Sequence, residues 1–421
     1  MTKKIVLSAI AASVMASSAL ATNGDNLIAT GAKARAMGGT QIAASFGAES
    51  AMYNPAMIAG AKDSLSASVT YFDPSVETYQ SSNITSQTAL ETSATAASII
   101  PNLTYVKSIN KDLTVGLAVY GSAGMGTDWT SANQTSTYKM RTALSLLKVA
   151  VPVAYKTGAL SIGIAPVLLK GELDINFNTG GSSQDTARSD DMGFGFELGV
   201  NYEVNKDLNV AALYKSELAM EYTNQIGSAS KLFNVNSGSG IASGDKLNQP
   251  AEMGLGVSYK LGKGVLNADF KQVNWGDAEG YADFAWENQT VMAIGYSHML
   301  NDALTLRVGY NKADNPIAEL DGSSTATGAN YNNAVINFFN ITGFPGVVEE
   351  HITLGASYAV KKGFDIDFAL VLASETTNSY SIAEMADAFD DNNPANQTQT
   401  TGSINNTHSQ ISYTVGVNYN F

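Results

Sequence analysis

The residues that could carry chemistry in this chain are few. His298, His351 and His408 are its only imidazoles, and none stands at metal-ligand spacing from another. Cysteine is absent, which removes disulfides, thiolate nucleophiles and sulfur-ligated metals. Gly124-Met125-Gly126 and Gly193-Phe194-Gly195 are too short for a phosphate-binding loop, and nothing matches a nucleophile elbow. No catalytic residue, metal or cofactor is expected. What remains is binding chemistry. Lys170 and Arg307 are cations that could orient a carboxylate by a charge-assisted hydrogen bond, or pair with carboxylates such as Glu172 and Asp365. Ile336, Phe338, Phe339, Ile341 and Phe344 form an apolar cluster that could capture a hydrophobic ligand or pack down as a cover. Burial contributes about 0.8 kcal/mol per CH₂, so an apolar tail could supply most of the affinity.

These residues must be positioned by strands, because the apolar period from Asp63 onward is two. Leu113, Val115, Leu117 and Val119 alternate with Thr114, Gly116 and Ala118, and Tyr413, Val415, Val417, Tyr419 and Phe421 alternate with polar or small neighbours. Fourteen such runs fall near 63–74, 99–109, 112–122, 144–156, 159–178, 190–205, 207–224, 246–261, 264–275, 287–300, 302–313, 348–360, 363–375 and 408–421. Tight turns at Asn110-Lys111, Thr157-Gly158, Asn205-Lys206, Gly262-Lys263, Asn301-Asp302 and Lys361-Lys362 alternate with long polar segments. A barrel threaded through one bilayer has this rhythm of short periplasmic turns and long extracellular loops. The expected class is all-β, a fourteen-stranded antiparallel transmembrane barrel at residues 63–421.

The charges obey the same alternation. A Lys or Arg facing lipid at mid-bilayer costs about 2–4 kcal/mol. Lys148, Glu197, Lys215, Glu217, Glu252, Asp269, Lys271, Arg307, Asp365 and Asp367 all oppose the apolar parity of their runs, and Lys107 breaks the rule beside a turn. In the fifth run the apolar parity flips, from Leu160, Ile162 and Ile164 to Leu173, Ile175 and Phe177. A bulge at Pro166 would account for this and would turn Lys170, Glu172 and Asp174 inward.

Residues 1–21 have the form of an export signal: Lys3 and Lys4, an apolar run over Ile5 to Val14, then Ala19-Leu20-Ala21. The run is too short to span a bilayer, and the mature chain should begin near Thr22. Removing Lys3 and Lys4 from the 24 basic residues leaves 22 against 38 acidic, a formal charge of −16, which argues against nucleic acid as a partner. Charged residues make up 15% of the chain, low beside the ~25% of soluble domains. The outer membrane of a Gram-negative bacterium, crossed many times, is the expected location, with outer-membrane lipid as a partner and a monomer as the expected state.

Residues 22–62 do not alternate. They carry Leu27, Ile28, Met37, Ile42, Phe46, Met52, Tyr53, Met57 and Ile58, enough apolar surface to pack against something, and the lumen is the nearest concavity. Asn23-Gly24, Gly31, Arg35-Ala36-Met37-Gly38-Gly39 and Asn54-Pro55-Ala56 here resemble the N-terminal hatch of the FadL-type transporters. The resemblance continues in Tyr214-Lys215-Ser216-Glu217, Leu247-Asn248-Gln249-Pro250, Asn274-Trp275, Arg307-Val308-Gly309-Tyr310, Asn315-Pro316 and Asn418-Tyr419-Asn420-Phe421. It implies a hatch over 22–62, with Asn54, Pro55 and Ala56 controlling the path. It also implies a kinked third strand, here rich in glycine at Gly121, Gly124 and Gly126, beside which ligand leaves sideways. By approximate alignment Lys170 falls where the family has a basic ligand-binding residue. Passive uptake of long-chain fatty acids is the implied function, with aromatic or other hydrocarbons as the alternative. An open porin and a structural or adhesive barrel are the rivals outside that class. The short segment near 179–189 departs from relatives with longer middle loops.

Overall fold

In the computed structural model, residues 22–82, 88–132, 137–178, 183–185, 187–233, 244–389 and 400–421 are described; the export signal expected at 1–21 lies outside them. One antiparallel sheet closes on itself, since the first strand pairs with the last from Ser64↔Asn420 to Ser82↔Gly402. Its barrel strands are β1 (Ser64–Ser82), β2 (Ser98–Ser108), β3 (Leu113–Met125), β4 (Arg141–Ala150 continued by Val153–Thr157), β5 (Leu160–Asn178), β6 (Ser189–Asn205) and β7 (Leu208–Lys215). They are followed by β8 (Glu252–Leu261), β9 (Gly264–Val273), β10 (Gln289–Met299), β11 (Leu304–Ala313), β12 (Glu350–Lys361), β13 (Phe364–Ser381) and β14 (Gly402–Asn420). Two-residue ladders at Glu91–Thr92 and Ser183–Gln184 decorate the rim. The barrel therefore has fourteen strands, as the alternation predicts. Closure pairs the backbone of every wall strand, which an apolar solvent demands.

The tight turns have local causes. The side-chain oxygens of Asn110, Asn205 and Asn301 each accept two backbone N–H groups two and three residues on. Gly158, Gly262 and Gly363 supply left-handed backbone at three further turns. All six lie at one end, taken as periplasmic and called the lower end below.

Several strands outrun their expected bounds at the other, upper end. β1 continues to Ser82, β13 to Ser381, and β14 begins at Gly402. β7 instead stops at Lys215, because residues 216–222 leave the wall and bridge Leu218 to Gln249 and Glu221 to Lys246. Glu217, expected to face inward on a longer strand, is exposed on this segment.

The bulge expected at Pro166 is not present. β5 keeps one register with β4, from Ala150↔Val167 to Arg141↔Asn176, and one with β6, from Leu160↔Tyr202 through Pro166↔Phe196 to Leu173↔Ser189. Odd residues of β5 face the lumen throughout. Lys170, Glu172 and Asp174 are thus on the outer face, where Asp174 is covered and pairs with Arg141 at 3.1 Å, while Leu169, Leu173, Ile175 and Phe177 are buried inside. The apolar side chains change parity because the surroundings change. Below, hydrocarbon lies outside and polar groups inside; above the bilayer, water lies outside and an apolar core inside. β1 inverts in the same way, from exposed Val69 and Tyr71 to buried Phe72 and Val76.

Residues 22–58 are largely buried and pack against the inner face of the wall. They include α1 (Ala32–Arg35) and two 3₁₀ turns, Gly47–Met52 and Pro55–Ile58. Inward glycines of the wall let this backbone approach closely. A Cβ on Gly309 would lie 2.1 Å from the Gly38 nitrogen, and one on Gly163 2.4 Å from the Ala56 nitrogen. Fixed hydrogen bonds add register: the Gly38 N–H donates to Thr353 Oγ1 at 2.9 Å, and the Gln41 and Ile42 N–H groups donate to Asp269 at 2.6 and 2.9 Å.

Candidate ligand site

The upper lumen is roofed by α3 (Tyr331–Gly343), the remaining helices being α2 (Ile226–Phe233) before it and α4 (Ala383–Phe389) after it. Phe338, Phe339, Ile341 and Phe344 are buried, so the apolar cluster of this loop packs down rather than standing in water. Polar side chains hold it there. Asn340 donates to the Phe284 carbonyl at 2.7 Å and accepts from the Trp286 indole at 3.3 Å, while Trp129 donates to the Thr342 carbonyl at 2.8 Å.

Beneath α3 lies a small apolar pocket of about 20 Å³, lined by Met125, Ile226, Leu247, Tyr281, Phe284, Trp286, Phe339, Asn340 and Phe344. Phe284 stacks on Phe339 at 4.9 Å, and Phe339 meets Phe344 at 5.6 Å. Trp275, Tyr281 and Trp286 form a mutually packed trio at 4.7 to 5.2 Å. Such rings contribute apolar area together with edge-to-face attraction. Phe339 and Phe344 therefore line this pocket. Phe338 does not; it packs edge-on against Tyr138 at 5.4 Å. The trio and Phe284 come from the β9–β10 connection, where Trp275, Tyr281, Phe284 and Trp286 are dense yet do not alternate. That density was the available signal for them.

A second small cavity sits beside β3, lined by Asn26, Ser122, Lys148, Leu169, Lys215, Ser216, Leu218, Gln249, Pro250 and Glu252. Lys148 pairs with Glu197 at 3.6 Å, and Lys215 and Lys271 share Glu252 at 3.5 and 3.3 Å. The alternation had placed these lysines inside; it had not singled them out for a ligand. Asp25 joins the two cavities. Its carboxylate accepts from Gln249 at 2.9 Å and from the Tyr281 hydroxyl, and burial raises it to about 6.

The wall is irregular at the same place. The β2–β3 ladder ends at Asn102↔Tyr120, although β2 begins at Ser98 and β3 runs to Met125. The register with β4 shifts between Gly121 and Ala123. Upper β3 bonds instead to the N-terminal segment: Gly124 N–H donates to the Asp25 carbonyl at 3.0 Å, and Leu27 N–H to the Ser122 carbonyl at 3.4 Å. Leu27 packs with Phe72 and Ile100. Gly126 lies against β4 so closely that a Cβ would come within 2.2 Å of the Thr142 carbonyl oxygen.

The other expected site residues are dispersed. Lys170, on the outer face, pairs with Glu172 at 3.6 Å and Asp190 at 3.4 Å, and so is not an inward cation. Arg307 faces inward but near the lower end, against Ser357, far from the aromatic roof in the sequence of inward residues along β11 and β12. Asn54 is buried, donating to the carbonyls of Ile42 at 2.8 Å and Ala212 at 3.2 Å, and with Pro55 and Ala56 it abuts Gly163 and Gly199 of the wall.

Comparisons fit this architecture. The TodX toluene transporter of Pseudomonas putida is similar in structure, with TM-score 0.65, 18% identity, and coverage of 95% of this chain and 100% of that one. The TbuX toluene transporter of Ralstonia pickettii gives 0.62 at 17% identity, covering 94% and 99%. A FadL homologue of Pseudomonas aeruginosa gives 0.65 at 12%, covering 96% and 99%. A long-chain fatty acid transport protein of Escherichia coli O6:H1 is 24% identical over 197 residues, which span 40% of this chain and only 44% of that protein. The family model described as outer membrane protein transport protein (OMPP1/FadL/TodX) matches residues 8–326. This chain belongs to that outer-membrane transport family, whose members are channels rather than enzymes.

Proposed function

We propose that the barrel admits hydrophobic small molecules from outside the cell, most suitably long-chain fatty acids, and passes them by diffusion from the roofed aromatic pocket toward the irregular wall at β3. The observation that carries this reading is the adjacency of two unlike cavities. One is apolar and aromatic; the other is lined by Lys148 and Lys215, with Glu252 as its acidic residue. Gln249 links them, donating to both Asp25 and Tyr281. An acyl tail gains by burial in the first, and a carboxylate gains charge-assisted hydrogen bonds in the second. The first pocket, at about 20 Å³, is too small for a ligand, so entry requires Phe339 and Phe344 to swing aside. Release follows when residues 25–27 leave the edge of β3, with Gly121, Gly124 and Gly126 permitting the bend. Asn54, Pro55 and Ala56 fix the rest of the segment against the wall during this step.

The test is binding of dodecanoate and of toluene to purified protein. Replacing Lys148 and Lys215 together by Met should weaken dodecanoate roughly tenfold and leave toluene unchanged. Equal affinity of both variants for dodecanoate would remove the lysines as carboxylate partners. A hydrocarbon ligand is the second reading, favoured by an aromatic pocket whose lining contains no charged residue. Mass spectrometry of molecules that co-purify in mild detergent separates the two.

A further inference from the structure

A cavity far larger than these two lies elsewhere, at the lower end beneath the N-terminal segment. It measures about 400 Å³ and is lined by Ser45–Ala48 from that segment, by Lys33, and by inward residues near the periplasmic turns. Lys33 and Arg307 are its charged residues; Asn267, Ser297 and Asn418 contribute amides and a hydroxyl, and Phe46 and Val265 an apolar patch. Among the described residues, no carboxylate lines it. Of the carboxylates nearby, Asp367 accepts from Ser357 and Asn418 and faces Lys33 at 3.8 Å, Glu49 accepts from the N–H groups of Lys33 and Ala34 and from Tyr53, and Asp365 is a third whose charge acts on Arg307. Asn267 is 2% exposed, and its unpartnered side-chain oxygen is an acceptor, which calls for a water or another donor beside an anion rather than for the anion itself.

We propose that this cavity is an anion site open to the periplasm, which takes a carboxylate bearing a short apolar portion. Arg307 offers a planar fork of donors, suited to a carboxylate, and Lys33 adds a second cation from the N-terminal segment itself. A bound anion would therefore tie that segment to β11. The site does not rest on the aromatic pocket, from which it is separated by residues 22–62. The carboxylate could be the end of a transported amphiphile or a small periplasmic anion.

Titration of the full-length protein in detergent with sodium hexanoate, inorganic phosphate and dodecanoate tests this. Arg307→Gln and Lys33→Gln should each weaken hexanoate roughly tenfold, Arg307→Lys should restore part of the loss, and Lys170→Ala, on the outer face, should leave it unchanged. Because the chain has no cysteine, Ser297→Cys gives a single thiol, and hexanoate should protect it from an impermeant reagent applied on the periplasmic side. Arginine-dependent binding of dodecanoate tighter than hexanoate identifies the transported amphiphile as the source; equal binding of hexanoate and phosphate identifies a periplasmic anion. Hexanoate affinity unchanged in both glutamine variants, or a Ser297→Cys thiol that does not react, would overturn the proposal. If Phe339→Ala abolished dodecanoate uptake while hexanoate still bound, the proposed function and this site would be separated.

Discussion

The two halves of the lumen are built from the same strands but hold opposite contents. In the lower half the wall turns Ser66, Ser68, Thr70, Asn267 and Asp367 inward, and a cavity of about 400 Å³ lies among Asn209, Ser258, Asn267 and Asn418. In the upper half it turns Phe72, Val76, Leu169, Leu173 and Ile175 inward, beneath an aromatic roof. The outer surface changes in the opposite sense, from Phe194, 75% exposed, to the paired Lys170, Glu172 and Asp190. The difference shows that alternation along a strand reports a contrast between two faces, not a fixed direction. Where the strands rise out of the bilayer, water replaces hydrocarbon outside, and the burial of apolar side chains inside becomes the favourable arrangement.

The comparison is best broken first at the seam between the wall and the N-terminal segment. Gly309→Leu places side-chain atoms where the Gly38 backbone lies, and should displace the segment without unpairing the wall. Planar bilayers should then show steady ion conductance from the variant and none from the parent; a silent variant would mean that the segment does not seal the lumen. Next come side chains on the two faces. Leu173→Ala, inside the upper half, should cost about 2–5 kcal/mol, whereas Leu198→Lys, on the lipid face opposite Ile164 and midway across the bilayer, should cost about 2–4 kcal/mol; urea unfolding in lipid vesicles reads both.

A smaller effect concerns Asp25. Burial raises it from 3.8 to about 6, so the seated segment binds a proton that a displaced one releases. Seating should therefore strengthen as pH falls from 7 toward 4. Hydrogen exchange at the Leu27 and Gly124 amides, corrected for intrinsic rates, should slow over that range, and Asp25→Asn should abolish the dependence. The smallest effect belongs to Lys170→Ala. It removes exposed ion pairs worth about 0–1 kcal/mol, and should alter neither ligand binding nor unfolding measurably.

Much of the wall was legible in the sequence because its cause is local. Alternation located all the strands, and Asn110, Asn205, Asn301 and the turn glycines act within a few residues of themselves. The orientation of Lys170 was not legible, since the same flip of apolar parity follows either from a bulge or from a change of surroundings. Strand register separates these, and register is set by neighbours across the sheet. The ligand site was legible only in part. Phe339 and Phe344 stood out as an apolar cluster, but their partners Tyr281, Phe284 and Trp286 come from a connection some 50 residues away. Lys148 and Lys215 could be assigned to the lumen by parity, while the cavity between them depends on where Asn26 and the β3 bulge come to rest.

A spin-label scan of β5 tests the exchange of solvents most directly, with single cysteines introduced from Leu160 to Asn178 into a chain that has none. Even positions up to Leu168 should collide with oxygen dissolved in lipid, those from Lys170 upward with a water-soluble relaxant, and odd positions with neither. Lipid contact at odd positions above Pro166, with Lys170 shielded, would contradict the account.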